Sequence, residues 1–270
     1  MTESVRYLAF PLDHVDAMAA STARSYPRHS HDQYGIGVID GGGHSSWSGR
    51  GQVEAGPGGM ICCNPGEVTD GRGVGGRARS WRMLYLEPRL VQALCADISG
   101  GASMDFTFTN PVFFSEETRC LFDRVHAHAS RARMPEHAMS AESALLALVA
   151  RLHFHSTSRT VNGGGPVGVI RRAIDRIDCD PAAPLTLSDL AVEAGLSRFQ
   201  LLRAFSRQLG LTPHAYIRQR RIQLARRLIR AGVGLAEAAA LAGFYDQPHL
   251  TRAFVRQFGV TPRRYASLSV

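Results

Sequence analysis

The sequence predicts an α+β chain: a strand-rich first half that forms an all-β barrel or sandwich with two flanking helices, and an all-helical second half containing a duplicated unit. Three observations predict this. From Tyr26 to about Pro88, short apolar runs are broken by glycine, the pattern of an antiparallel all-β unit. Beyond Pro166, apolar residues recur at helical spacing between Ser, Thr, Gly and Pro signals. Charge divides at the same place. Residues 1–165 hold 15 Arg and 16 acidic residues, whereas 166–270 hold 16 Arg and 7, so −1 and +9 sum to the chain's +8.

In the first half the apolar runs are Tyr34–Ile39, Ser46–Ser48, Gln52–Glu54, Met60–Cys63 and Trp81–Leu86, with turns at 41–43 and 56–59. Ser115, Glu116 and Glu117 start a helix carrying Leu121, Phe122 and Val125; Pro135 and Glu136 start another carrying Ala144, Leu145, Leu148, Val149 and Leu152. The apolar stripe of this second helix either pairs with its twin in a homodimer or packs on its own barrel. His126 and His128, like His153 and His155, are two apart on helices, so each pair diverges and reads as surface. Residues 156–165, ending in three glycines, have linker composition. The expected division is therefore 1–155, a linker at 156–165, and 166–270.

The second half opens with a helix from Val167 to Ile177, followed by a capping box at Thr186–Asp189 and a helix running to Ala194 and Gly195. Ser197 caps a helix ending near Gln208. Thr212 and Pro213 open a long helix to about Ala231, closed by Gly232. Helices from Leu235 to Ala242 and from Pro248 to Gln257 follow, and a last one starts at Thr261 and Pro262.

Within this half, residues 202–213 and 251–262 share the template x-R-A-F-x-R-Q-x-G-x-T-P. In each copy a helix with a small residue leads to a turn glycine and then to a basic helix: Ala191 and Gly195 before Ser197, Ala239 and Gly243 before Pro248. Alanine lets two helices cross closely and glycine supplies a positive φ, the logic of a helix-turn-helix. The copies pair at an offset of 48 up to the glycines and 49 beyond them, so one extra residue falls within 245–248. Arg203 and Arg207 lie at i,i+4 on the face opposite Leu201, Phe205 and Leu209, and Arg252 with Arg256 repeats the arrangement. Such arginines fork onto guanine or hold phosphate. A connecting helix over 213–231 is about 28 Å long at 1.5 Å per residue, close to the roughly 34 Å between successive major-groove faces.

Residues 166–270 resemble the DNA-binding domain of AraC-type (AraC/XylS) transcription regulators, most specifically over Gly243–Phe254 and Gly259–Tyr265. The resemblance implies base-reading positions at Phe199, Leu202 and Arg203 in the first copy and at Gln247, His249, Thr251 and Arg252 in the second. Arg198, Arg207 and Arg256 complete the expected DNA-facing set. Leu202 departs from the polar residue often found there and suits a thymine methyl. Residues 1–160 resemble the cupin-like ligand-binding domain of the same regulators, carried by Pro27–Tyr34, the turn at 56–59, and Asn64–Glu67. The resemblance implies promoter DNA, a small-molecule effector and RNA polymerase as partners, usually with activation as the output.

His31, Tyr34, Trp47, Trp81 and Tyr85 are the expected effector-lining residues, polar or aromatic positions on the strands. His29 and His31 share a strand face, as metal ligands do, but the further Glu and His of a metal cupin are not found: 35–37 read Gly, Ile, Gly, and Thr69 stands where relatives have His. No metal, cofactor or catalytic residue is expected. The five cysteines form no C-x-x-C pattern and read as buried thiols of a reducing compartment. The chain shows no leader-like or membrane-spanning segment, so a soluble cytoplasmic protein without a membrane partner is expected. The reading is a sequence-specific, effector-sensing transcription regulator rather than an enzyme. Two alternatives stand beside it: a cupin-type metalloenzyme with a basic helical appendage, and a ligand-independent DNA-binding protein.

Overall fold

The computed structural model describes residues 3–48, 51–101, 106–129, 135–156 and 166–267. Two compact units divide the chain at residues 161 and 162. Most of the expected linker, 157–165, lies outside the described residues.

The first unit is built on β1 (Ser4–Leu8), β2 (Val15–Thr22), β3 (Tyr26–Ser30), β4 (Tyr34–Gly41), β5 (His44–Ser48), β6 (Gly51–Ala55), β7 (Met60–Cys63), β8 (Val68–Gly73), β9 (Arg79–Leu86) and β10 (Val112–Phe113). They form a six-stranded sheet in the order β1-β2-β9-β4-β7-β10 and a four-stranded sheet in the order β3-β8-β5-β6. Every pairing is antiparallel. β1 and β2 extend the strand region N-terminal to Tyr26, where the sequence pattern begins.

Strand alternation assigns the two faces of the larger sheet. Trp81, Met83 and Tyr85 of β9 meet Met18, Ala20 and Ile39 from the same sheet and Tyr26 and Ala55 from the smaller one, so this face looks into the space between the sheets. Leu84 and Leu86 point the other way and join Ile36 and Val38 in the larger core. Gly35 and Gly37 make the inner face possible. A Cβ at Gly35 would lie 2.5 Å from Cys63 Sγ, and one at Gly37 2.1 Å from Met83 Sδ. Cys62 joins the outer core while Cys63 packs inward, and burial pushes the Cys63 thiol up to about 12; Cys95 is buried too, but Cys120 and Cys179 are exposed, against the expectation of five buried thiols.

The outer face is covered by α1 (Pro88–Ile98), α2 (Glu116–His126) and α3 (Pro135–Ser156). α1 adds to the two helices read from sequence, with Pro88 at its start and Val91, Leu94 and Cys95 buried. Ser115 caps α2, its Oγ accepting from Thr118 N. Ala141, Leu145, Leu148, Val149 and Leu152 of α3 are all buried in this unit's own core, so the apolar stripe is spent within one chain. Two of the expected surface histidines are in fact buried. His126 Nε2 lies 3.2 Å from the carbonyl of Met18, and His128 follows the end of α2, where helical divergence no longer applies.

The second unit contains α4 (Arg171–Cys179), α5 (Leu187–Ala194), α6 (Arg198–Leu209), α7 (Pro213–Arg230), α8 (Leu235–Leu241), α9 (Gln247–Phe258) and α10 (Pro262–Ala266). A 3-10 turn at Pro166–Val169 precedes α4, which therefore begins later than the expected Val167; Gly168 within it is a poor helix former. Local capping sets most other ends. Thr186 with Asp189 and Ser197 with Gln200 form capping boxes, and the side chains of Thr212, Asp246 and Thr261 accept from the third backbone N–H of their helices. Gly195, Gly210 and Gly259 close their helices in the left-handed region.

Candidate nucleic-acid interface and effector site

Each duplicated unit is a short helix, a glycine turn and a second helix: α5 and α6 in the first, α8 and α9 in the second. Phe205 and Phe254, at equivalent places, are fully buried and anchor the inner faces of α6 and α9. Phe205 packs edge-on against Tyr216 of α7, and Phe254 against Phe258 and Tyr265. The outer faces carry the expected readers. On α6, Arg198, Phe199, Arg203 and Arg207 are exposed and Leu202 is half-buried; on α9, Gln247, His249, Arg252 and Arg256 are exposed and Thr251 is half-buried. The structure thus places all ten on the two second helices. An open groove of about 710 Å³ runs along α6, with Phe199, Leu202, Arg203 and Arg207 among its walls.

The faces are not equivalent. Arg203 holds its guanidinium 5.7 Å from the Phe199 ring, which is 67% exposed, so the aromatic face pre-positions the charge. On α9, His249 instead packs edge-on to Phe244 at 5.2 Å. The extra residue of the second copy can be located. Leu196 N donates to Ala191 O after Gly195, and Phe244 N donates to Ala239 O after Gly243, so Phe244 is the counterpart of Leu196 and Tyr245 is the insertion. Tyr245 is 93% exposed and stands at the entry to α9. Arg218 of α7 joins the same positive field: burial, then repulsion from Arg256, lowers its pKa. Neither Tyr245 nor Arg218 was anticipated; the 48-to-49 offset is the signal that points to the first.

In the first unit the space between the sheets collects three of the five expected lining residues. His31 stacks on Tyr85 with centroids 4.7 Å apart, and Trp81 meets Tyr26 edge-on at 6.2 Å. The other two are elsewhere. Tyr34 belongs to the outer core, where its hydroxyl donates to Phe106 O at 2.8 Å and its ring packs on Phe106 and Phe108. Trp47 alternates away from His44 on β5, beneath the Arg28 guanidinium at 4.4 Å. His29 and His31 approach each other at 3.1 Å between Nε2 atoms, while His29 Nδ1 lies 2.7 Å from Pro27 O. Among the described residues, no group of three or more His, Cys, Asp or Glu is placed to hold a metal ion.

Sequence reasoning missed the polar centre of this space. Arg79 is 2% exposed, donates from Nε to His44 Nδ1 at 2.9 Å and from Nη1 to Arg24 O at 3.1 Å, and lies over the Trp81 ring at 4.6 Å. The available signal was a charged residue in phase with Trp81, Met83 and Tyr85 along β9. Burial, and then Arg79 itself, hold His44 down to about 4, so His44 is neutral and its Nδ1 accepts. Because that value is below the unfolded one of about 6.5, His44 contributes stability that is fully present above about pH 6.5 and is lost as the pH falls toward 4. Between pH 7.5 and pH 5 the loss is expected to be about 2 kcal/mol. Urea unfolding at the two pH values should show a smaller loss in His44→Asn, which keeps an acceptor but cannot titrate; an equal loss in both proteins counts against the assignment.

The sequence matches the family model of the AraC-like ligand binding domain over residues 15–149, half of the chain, and that of a helix-turn-helix domain over 190–267. The chain belongs to the AraC-type family of transcription regulators. It is a DNA-binding regulator with an N-terminal ligand-binding domain. The HTH-type transcriptional regulator YbfI of Bacillus subtilis (strain 168) is 28% identical over 229 residues, 84% of this chain and 82% of that one. A putative AraC-like transcription regulator of Streptomyces lividans is 34% identical over 111 residues, 40% of this chain and 36% of that one. Among solved structures, ToxT from Vibrio cholerae O395 has the same fold, with a TM-score of 0.55 at 11% identity over 95% of this chain and 98% of that one. ToxT from strain SCE256, solved with unsaturated fatty acid bound, gives 0.53 at 11% identity over 99% and 96%. Among the described residues, no helix is long and apolar enough to cross a membrane.

Proposed function

We propose that this AraC-type regulator reads promoter DNA with two helices at once, and that a small molecule entering the space between the sheets of its cupin-type first unit sets how it does so. The observation that carries the reading is the pair of exposed faces on α6 and α9, equivalent in position and different in chemistry. Arg198, Phe199, Leu202, Arg203 and Arg207 serve the first half-site, and Gln247, His249, Thr251, Arg252 and Arg256 the second. α7, at 18 residues, spans about 27 Å, a length that suits adjacent turns of one duplex. The effector contacts come from His31, Trp81 and Tyr85, joined by Arg79 and Tyr26.

The finer parts of the proposal rest on family resemblance: activation through RNA polymerase, action in the cytoplasm, pairing into a homodimer, and binding rather than catalysis. Homodimerisation has to use a surface other than the apolar stripe of α3, which is already buried. The domain division is part of the same reading. A fragment of residues 166–270 is expected to fold alone and to select a defined site from random duplexes. Selection and sequencing of bound DNA, with circular dichroism of the fragment, test this. An unfolded fragment sinks the division at the linker, and a preference no better than about tenfold over random duplex favours a ligand-independent, unspecific binder.

A further inference from the structure

The space between the two sheets of the first unit holds a buried cation with no counter-ion among the described residues. Arg79 spends Nε on His44 and Nη1 on the Arg24 carbonyl, while its Nη2 is buried and has no hydrogen-bond partner. No carboxylate among the described residues forms an ion pair with it. A guanidinium keeps its charge inside a protein, and a buried, unpaired charge is among the least tolerated features of a fold. Of the nearest residues, His44 is neutral and burial raises the Tyr26 pKa, which keeps its hydroxyl protonated; the Glu3 carboxylate that acts on Tyr26 is spent on Thr22 Oγ1 and Ala23 N.

A second donor is unspent in the same place. Tyr26 OH is buried and has no partner, and its ring meets Trp81, the residue under the Arg79 guanidinium. Facing the guanidinium on β8 is Gly71. A Cβ there would lie 3.3 Å from Arg79 Nη2 and 3.3 Å from His44 Cε1, so backbone rather than a side chain lies beside the free N–H. Arg79 is the fully buried guanidinium here, and the half-buried Arg24 lies over the Tyr26 ring at 5.5 Å; one buried charge with two idle donors matches a carboxylate, a singly charged acceptor with two oxygens. A neutral polyol leaves the buried guanidinium uncompensated. The remaining neighbours, Trp81, Met83, Tyr85 and Met18, are aromatic or apolar.

We propose that the effector of this regulator is a small monocarboxylate with an aromatic or apolar body, its carboxylate held by Arg79 Nη2 and Tyr26 OH and its body laid against Trp81. The proposal rests on the reading of the first unit's interior as the effector site and names the ligand class that this site takes. Arg79 is then the residue that pairs with the effector's charge.

The experiment uses the full chain with benzoate, phenylacetate and 3-phenylpropanoate, each beside its primary amide, at millimolar concentration and neutral pH. Calorimetry and thermal melting read binding, and fluorescence anisotropy on the selected DNA site reads regulation. At least one acid is expected to bind more than about tenfold tighter than its amide. Tyr26→Phe should weaken that acid about tenfold and leave the amide unchanged. Arg79→Met should erase the preference for acid over amide; should it fail to fold, Tyr26→Phe decides alone. Acids that bind no better than amides, no acid binding at all, or an unaffected Tyr26→Phe protein overturn the proposal. An amide that shifts both melting and DNA affinity overturns the carboxylate class while leaving the effector site standing. A bound acid that leaves DNA affinity unchanged removes the regulatory reading instead.

Discussion

Replacing Arg221 with Ala is expected to remove about 3–5 kcal/mol from the stability of the helical unit. This α7 side chain donates from Nε to Pro181 O at 2.8 Å, from Nη1 to Gly243 O at 2.7 Å, and from Nη2 to Ala183 O at 2.9 Å and Ala182 O at 3.4 Å. The first and last two acceptors belong to the loop before α5, and Gly243 is the turn of the second helix-turn-helix. One guanidinium therefore ties both reading units to the helix between them. The contact is close, since a Cβ at Gly243 would meet Ala182 O at 2.9 Å. Removing the fork leaves several carbonyls without a donor and frees the second turn from the first loop. With total stability of roughly 5–15 kcal/mol for a domain, the variant should be marginal. Urea unfolding of the full chain measures the loss, and binding to a site with both half-sites intact should fall more than binding to either half-site alone. Arg221→Lys should recover little, because an ammonium cannot span the carbonyls. A loss under about 1 kcal/mol would show that water replaces the fork and that the two units are held by packing alone.

The second large effect is expected on DNA. Arg203→Ala and Arg252→Ala should each cost about 1–3 kcal/mol of site-specific affinity, and the double variant about 2–6 kcal/mol, since the two sit on different helices and share no contact that would couple them. Both residues are exposed, so melting should barely change, which separates this effect from that of Arg221. The structure refines the expectation for the first site. Arg203 lies over Phe199, so Phe199→Ala should reproduce part of the Arg203 loss by freeing the guanidinium, without removing its charge. Binding measured against salt decides the mode of contact. A loss confined to the selected site identifies base reading, whereas a uniform loss with a shallower salt slope moves these arginines to the phosphate backbone.

The helical unit was legible because its signals are local. Ser197 and Gln200 reach each other within one turn, Pro213 follows its capping threonine directly, and Gly195 and Gly210 sit where a left-handed φ is needed. A repeat doubles such evidence, and even the insertion at Tyr245 leaves a trace as an offset of 49 against 48. The late start of α4 has a local cause as well, Gly168 in the turn before it. α1 carries its signals in Pro88, Val91, Leu94 and Cys95, a short apolar stripe directly after the strand that ends at Leu86.

The β unit was legible as a class and not as a site. β4 pairs with β9 across Tyr34 and Leu86, and nothing near either residue announces that partner. A strand fragment offers two faces, and only the register with distant strands says which one looks inward. Tyr34, Trp47 and Trp81 are alike as sequence, yet they end in the outer core, under Arg28, and beside Arg79 respectively.

By itself, the sequence determined the two-part organisation, the duplicated helix-turn-helix and the ten residues on its outer faces, because helices, caps and turns are written in neighbours a few positions apart. Tertiary structure alone decided that α3 spends its apolar stripe at home, that one arginine of α7 clasps both reading units, and that Arg79 lies buried beside Tyr26, paired with no carboxylate among the described residues. Those outcomes depend on residues tens of positions apart meeting in space, and on how much water their meeting removes from a charge.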